Sequence, residues 1–173
     1  MNKRILFIIY LIQCIIGVSI GFYCFQKNAE AGAWVLVSTI MVLAPDKDEA
    51  IKFAFNRIKA NLIGAVVGLL LALIHPFNVF MMAFGVVLAA TFCELLSIKS
   101  AIRSATVGVI LISLAPVGKT FYEVAAARAI GVGLGCMIAL ILTVTMHALV
   151  KAIYRGSSDI NGKNQEINLM EEG

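Results

Sequence analysis

From Ile5 to Phe25 the chain runs for 21 residues without a charged side chain. Roughly 20 apolar helical residues cross the hydrocarbon core of a bilayer. Lys3 and Arg4 precede the run. It is too long for the core of a signal peptide, and no small-x-small cleavage site follows it. Gln13 before Cys14, and Tyr23 before Cys24, stand where a lipoprotein signal needs a small residue. The run therefore reads as a retained transmembrane helix.

Five more apolar stretches follow. They are about Ala31 to Ala44, ended by Pro45; Ala60 to Ile74, extendable backward through Asn56 and Arg57; Phe77 to Ser97; Ser104 to Ala115, ended by Pro116; and Ala129 to Val150. The first, fourth and sixth helices reach a full span alone, whereas the second and fifth are short. Hydrophobic residues make up 61% of the chain and charged residues 14%. Soluble domains carry about 25% charged residues, so lipid must take up the apolar surface. The formal charge of +4 comes from basic residues lying between apolar runs. It points to membrane topology rather than to nucleic acid. With six spans and the N-terminus inside, one side holds eleven Lys and Arg and the other holds Lys27, Lys119 and Arg128. The positive side faces the cytoplasm, which puts both termini there. The expected fold is an all-α integral membrane domain over 1–155. The polar stretch 156–173 reads as a disordered cytoplasmic tail.

The chain repeats itself at an offset of 71 residues. Leu43-Ala44-Pro45 recurs as Leu114-Ala115-Pro116, Arg57 as Arg128, and Gly64 as Gly135. Ala60, Gly64 and Gly68 fall opposite Gly131, Gly135 and Ala139. Each copy reads Arg-x-x-small-x-x-x-Gly-x-x-x-small. Proline stops the second helix of each half because it lacks an N–H and crowds the preceding turn. Asp46 with Glu49, and Thr120 with Glu123, have capping-box spacing for the helix that follows. Small residues every four positions form a ridge that lets another backbone approach in lipid. Three spans per half invert the second half relative to the first, so the six helices form a 3+3 inverted repeat over about 4–74 and 75–150. Short or Pro-broken helices at matching positions point to a transport site near the midplane. They also fit surface segments or tilted neighbours.

Few polar residues interrupt the apolar stretches. Arg57 and Arg128 occupy equivalent places and suit a carboxylate, which arginine binds bidentately. Both lie toward helix ends, Arg57 on the cytoplasmic side and Arg128 on the outer side. They can equally snorkel to the headgroups or pair with acids. Glu94 is either an ion-pair partner of Arg57, Lys59 or Arg103, or a proton-coupling group. Asn61, Ser38 and Thr39 offer polar contacts to a substrate path or between helices. His75 and His147 flank helix ends and read as interfacial, as does Trp34. Cys14, Cys24, Cys93 and Cys136 form no CxxC pair and read as packing residues. No metal or cofactor is expected. No nucleophile–base pair, P-loop, HExxH or glycine-rich nucleotide loop supports an enzyme.

Trp34 to Ala44 with Pro45, then Asn56-Arg57-Ile58-Lys59-Ala60 and Gly64 to Gly68, resemble the fusaric-acid-resistance-like membrane domain. Ala127-Arg128-Ala129-Ile130-Gly131 to Gly135 resemble the same motif. That group includes aromatic acid exporters and looks related to plant aluminium-activated malate channels. Ala60 and Asn61 depart from it, standing where the family usually has Gly-Thr. The resemblance covers about residues 5 to 150. It implies a six-helix transporter or channel that exports organic anions across a bacterial cytoplasmic (inner) membrane. Arg57 and Arg128 sit at the motif arginine. The partners it implies are the bilayer, a small organic anion, and a second copy or an accessory protein. A non-transporting structural subunit of a membrane assembly is the competing expectation, because intramembrane polar residues are few.

Overall fold

The computed structural model describes residues 3–74, 78–114 and 120–171, with side chains described to Ala152 at the C-terminal end. The described residues form α1 (Lys3–Lys27), α2 (Ala29–Val42), α3 (Lys47–Ile74), α4 (Val79–Leu95), a 3-10 turn (Lys99–Ala101), α5 (Ile102–Ser113) and α6 (Phe121–Glu171). Three of them contain segments long and apolar enough to cross a membrane: Arg4–Lys27, Lys47–Ile74 and Phe121–Ala152. α2, α4 and α5 are shorter apolar helices. Leu73, Phe80 and Leu95 are among many large apolar side chains left on the outside. A water-soluble monomer rarely exposes such a continuous apolar surface.

Local chemistry sets the helix ends. The Asn28 side chain accepts from the Glu30 and Ala31 amides at the start of α2. Asn78 does the same for α4 through the Met81 amide, 2.8 Å away. Asp46 accepts from the Asp48 amide at the start of α3. Thr120 and Glu123 form a full capping box. The Glu123 amide donates to Thr120 Oγ1, and Glu123 Oε2 accepts from the Thr120 amide. α2 ends at Val42, where Pro45 disfavours helical geometry for Ala44. Pro116 lies outside the described residues, as do His75 and Lys119.

Two helix lengths differ from the sequence expectation. The fourth helix is 17 residues long rather than a full span. Ser97, at φ 58°, turns its end. The Ser97 amide then donates to the Glu94 carbonyl and the Ile98 amide to the Cys93 carbonyl, the Schellman arrangement. The backbone of α6 is helical to Glu171, where polar composition predicts a disordered tail. No proline interrupts that stretch, so a helix already nucleated by the apolar segment can propagate into it.

α2 packs along both α1 and α6, and α5 packs along both α4 and α3. α3 and α6 also pack against each other. One buried cluster joins α3, α4 and α5 through Ala60, Val67, Leu71, Ala89, Ala105 and Val109. Another joins α2, α3 and α6 through Val42, Ala54, Val132, Cys136 and Ala139. The small-residue ridges make these approaches possible. A Cβ at Gly64 would stand 2.6 Å from the Ala105 carbonyl, and one at Gly135 would stand 2.6 Å from the Val35 carbonyl. Gly131 abuts the Ala31 carbonyl, and Gly68 meets the Ile112 side chain instead of backbone. Ala60 and Ala139 are fully buried on the same ridges.

Candidate functional site

The two helix–ridge contacts bring Arg57 and Arg128 into one region. Arg57 lies 10 residues into α3, about 15 Å along its axis at a helical rise of 1.5 Å. Its Nε donates to Ser38 Oγ over 3.2 Å. Arg128 lies one to two turns into α6 and is only 2% exposed. Its Nε donates to Asn61 Oδ1 over 2.6 Å, and Nη2 donates to the Ser104 carbonyl over 3.1 Å. Its guanidinium carbon sits 4.6 Å from the centre of the Trp34 ring. Trp34 and Ser38 stand four residues apart on α2, and Arg57 and Asn61 four apart on α3, so the two guanidinium groups meet neighbouring turns of the same two helices. Trp34 and Ser38 lie in the middle of the 14-residue α2, so the site is at mid-helix depth on that element.

This arrangement corrects two expectations. Arg128 does not reach outward like a snorkelling side chain, because almost none of its surface is exposed. Trp34 is not simply an interface anchor, because one face of its ring covers the guanidinium. Among the described residues no carboxylate pairs with either arginine. Neutral oxygens hold both. The Nη1 of Arg128 is buried and has no hydrogen-bond partner among the described residues.

Arg57 is partly exposed. It lines a cleft of about 140 Å³ together with Met41, Phe53, Asn56, Ala101 and Ser104. These residues come from the end of α2, the first part of α3, the 3-10 turn and the start of α5. The cleft therefore lies toward the end of the bundle where α2 joins α3 and α4 joins α5.

Of the other candidates, Ser38 and Asn61 join the arginines. Thr39 does not. It is fully buried and its hydroxyl donates to the Val35 carbonyl over 2.8 Å and to the Gly135 carbonyl over 3.3 Å. That bonding ties α2 to the glycine ridge of α6. Glu94 also stands apart, in an exposed ion pair with Lys99 at 3.0 Å. Cys93 and Cys136 are buried, and Cys14 and Cys24 are partly buried.

Gln13, read in the sequence only against a lipoprotein signal, and Thr143 are polar residues outside the candidate site set. Both are fully buried, and both Gln13 amide atoms and Thr143 Oγ1 lack partners among the described residues. The signal for Gln13 was present: it is the only side-chain amide between Ile5 and Phe25. Thr143 carries no such signal, since threonine in an apolar helix usually bonds its own backbone.

Described residues whose regular elements are all helical, with three apolar helices of bilayer length and a buried arginine, place the chain among membrane proteins. The chain belongs to the fusaric acid resistance protein-like family, whose model matches residues 12–142. The matched span includes both arginines, Trp34, Ser38, Asn61 and Ser104. No curated protein matches the chain, and no solved structure does.

Proposed function

We propose that this protein moves organic anions across a membrane, with Arg57 and Arg128 as the anion's binding groups. The carrying observation is Arg128: it is 2% exposed, and among the described residues no carboxylate pairs with it and its buried Nη1 has no hydrogen-bond partner. Arg57, one helical turn from the Asn61 that holds Arg128, lines an accessible cleft and pairs with no carboxylate among the described residues. Burying charge without a partner is costly and marks ion pathways within membrane helices. A carboxylate offers the missing negative charge and suits the forked donors of a guanidinium. Membership of a family named for resistance to an organic acid supports the same reading.

In this reading all six apolar helices span the bilayer as two oppositely oriented halves. The equivalent packing of α2 on α6 and α5 on α3 supports it, together with the 71-residue offset. The Lys and Arg bias puts both termini in the cytoplasm. The cleft at Arg57 then faces the cytoplasm, which suits export from a bacterial inner membrane. The working unit is a homodimer, or a single chain beside an accessory protein.

Flux into proteoliposomes tests the proposal. Benzoate should be carried by the wild-type protein, and the joint substitution Arg57→Gln with Arg128→Gln should abolish the flux. Equal flux in the folded double variant contradicts the assigned site. An inert wild-type protein that co-purifies with a stoichiometric membrane partner favours a structural subunit instead.

A further inference from the structure

We infer that the Trp34 side chain is the gate over Arg128, closing the anion site toward the membrane face at which α2 begins. The inference rests on the transport reading and adds the element that controls access to its site. The two arginines are equivalent in sequence but not in access. Arg57 is partly exposed in a cleft, whereas Arg128 is 2% exposed. Their surroundings differ at one telling position. Trp34 in α2 corresponds to Ala105 in α5 at the 71-residue offset. Ala105 is fully buried, and Ala101 and Ser104 beside it line the open cleft. At the equivalent place in α2 the indole fills the space and lies over the guanidinium, 4.6 Å from ring centre to carbon.

Trp34 is partly exposed, whereas the guanidinium against its ring face belongs to a residue only 2% exposed. The Trp34 Cβ is pinned. A Cβ built on Gly131 would come within 2.5 Å of it, so α2 cannot shift there without pushing on α6. Rotation about the side-chain bonds is the remaining freedom. A cation–π contact holds the ring in place when no anion is bound. Charge-assisted hydrogen bonds from an anion to Nη1 and the guanidinium edge compete with that contact. An arriving carboxylate therefore releases the ring and opens the path.

Trp34 is the only tryptophan in the chain, so its fluorescence reads the gate directly. Cyclohexanecarboxylate, which lacks an absorbing ring, is the probe. It should shift Trp34 emission saturably and increase acrylamide quenching in the wild-type protein. Arg128→Gln should lose the response. In proteoliposomes, Trp34→Ala should carry the probe several-fold faster than wild type, and Trp34→Phe, which keeps a ring over the guanidinium, should stay near the wild-type rate. Calorimetric binding with no change in emission or quenching overturns the gate, as does wild-type flux in folded Trp34→Ala. A wild-type protein that carries no probe but still shows the Arg128-dependent signal defeats transport while leaving the Trp34 cover standing.

Discussion

Arg57 and Arg128 begin the same motif, and the chain treats them differently. Arg57 leans on a hydroxyl, Ser38, at 3.2 Å and keeps part of its surface in a cleft. Arg128 is held by Asn61 and the Ser104 carbonyl, roofed by Trp34 and sealed from solvent. The cause lies in residues that the repeat does not share. Asn61 corresponds to Val132, which has no oxygen to offer, and Trp34 corresponds to Ala105. A motif repeated in the sequence thus supplies two arginines, and a few unmatched side chains leave one partly exposed and the other buried. For a protein that must present a site to one side at a time, such asymmetry within a repeat is useful.

The ridges beneath the arginines should behave alike, and breaking them should have the largest effect. Gly64→Ala and Gly135→Ala each force a methyl against a backbone carbonyl at 2.6 Å. Both should cost up to about 3 kcal/mol, the upper end for overpacking, seen as a lower melting temperature in detergent. Gly133→Ala meets nothing within 4 Å and should be neutral, or stabilising by up to ~1 kcal/mol through helix propensity. A large loss at Gly64 with none at Gly135 would end the claim that the two contacts are equivalent.

The arginine partners should then diverge. Asn61→Leu strands a buried charged donor and should destabilise the fold by ~2 kcal/mol. Ser38→Ala should cost less, about 0.5–1.5 kcal/mol, because Arg57 can turn to solvent in its cleft. Equal melting shifts for the two would mean that the difference in burial has no energetic weight.

Effects away from the arginines should be smaller. Thr120→Ala removes a capping-box oxygen at the start of α6 and should cost about 1 kcal/mol. Glu94→Gln breaks an exposed ion pair and should change stability by less than ~1 kcal/mol. It should leave anion flux unchanged, and a lost flux would return Glu94 to the pathway.

Much of this framework is readable from the residues themselves. Apolar runs mark the helices, Thr120 with Glu123 marks the start of α6, and the glycines mark where α3 and α6 accept their neighbours. These signals are local, or repeat at a fixed spacing. The site is legible in part, because Arg57, Arg128, Ser38 and Asn61 stand out as polar groups in apolar stretches. Trp34 does not stand out, since a tryptophan a few residues into an apolar run that starts at about Ala31 ordinarily reads as an interfacial anchor. Its position over Arg128 depends on how α2 is rotated against α6, which no local pattern encodes. The left-handed Ser97 that shortens α4 is hidden for a related reason. Serine has no strong preference for that conformation, so only the finished turn reveals it.

The most direct test of the central claim is a double-substitution cycle on anion binding, followed by calorimetry with benzoate. If Arg57 and Arg128 grip one anion between them, Arg57→Gln and Arg128→Gln should each remove most of the binding free energy. The combined variant should then lose little more than either alone. Losses that simply add, or a single arginine whose removal leaves affinity unchanged, would contradict a shared site.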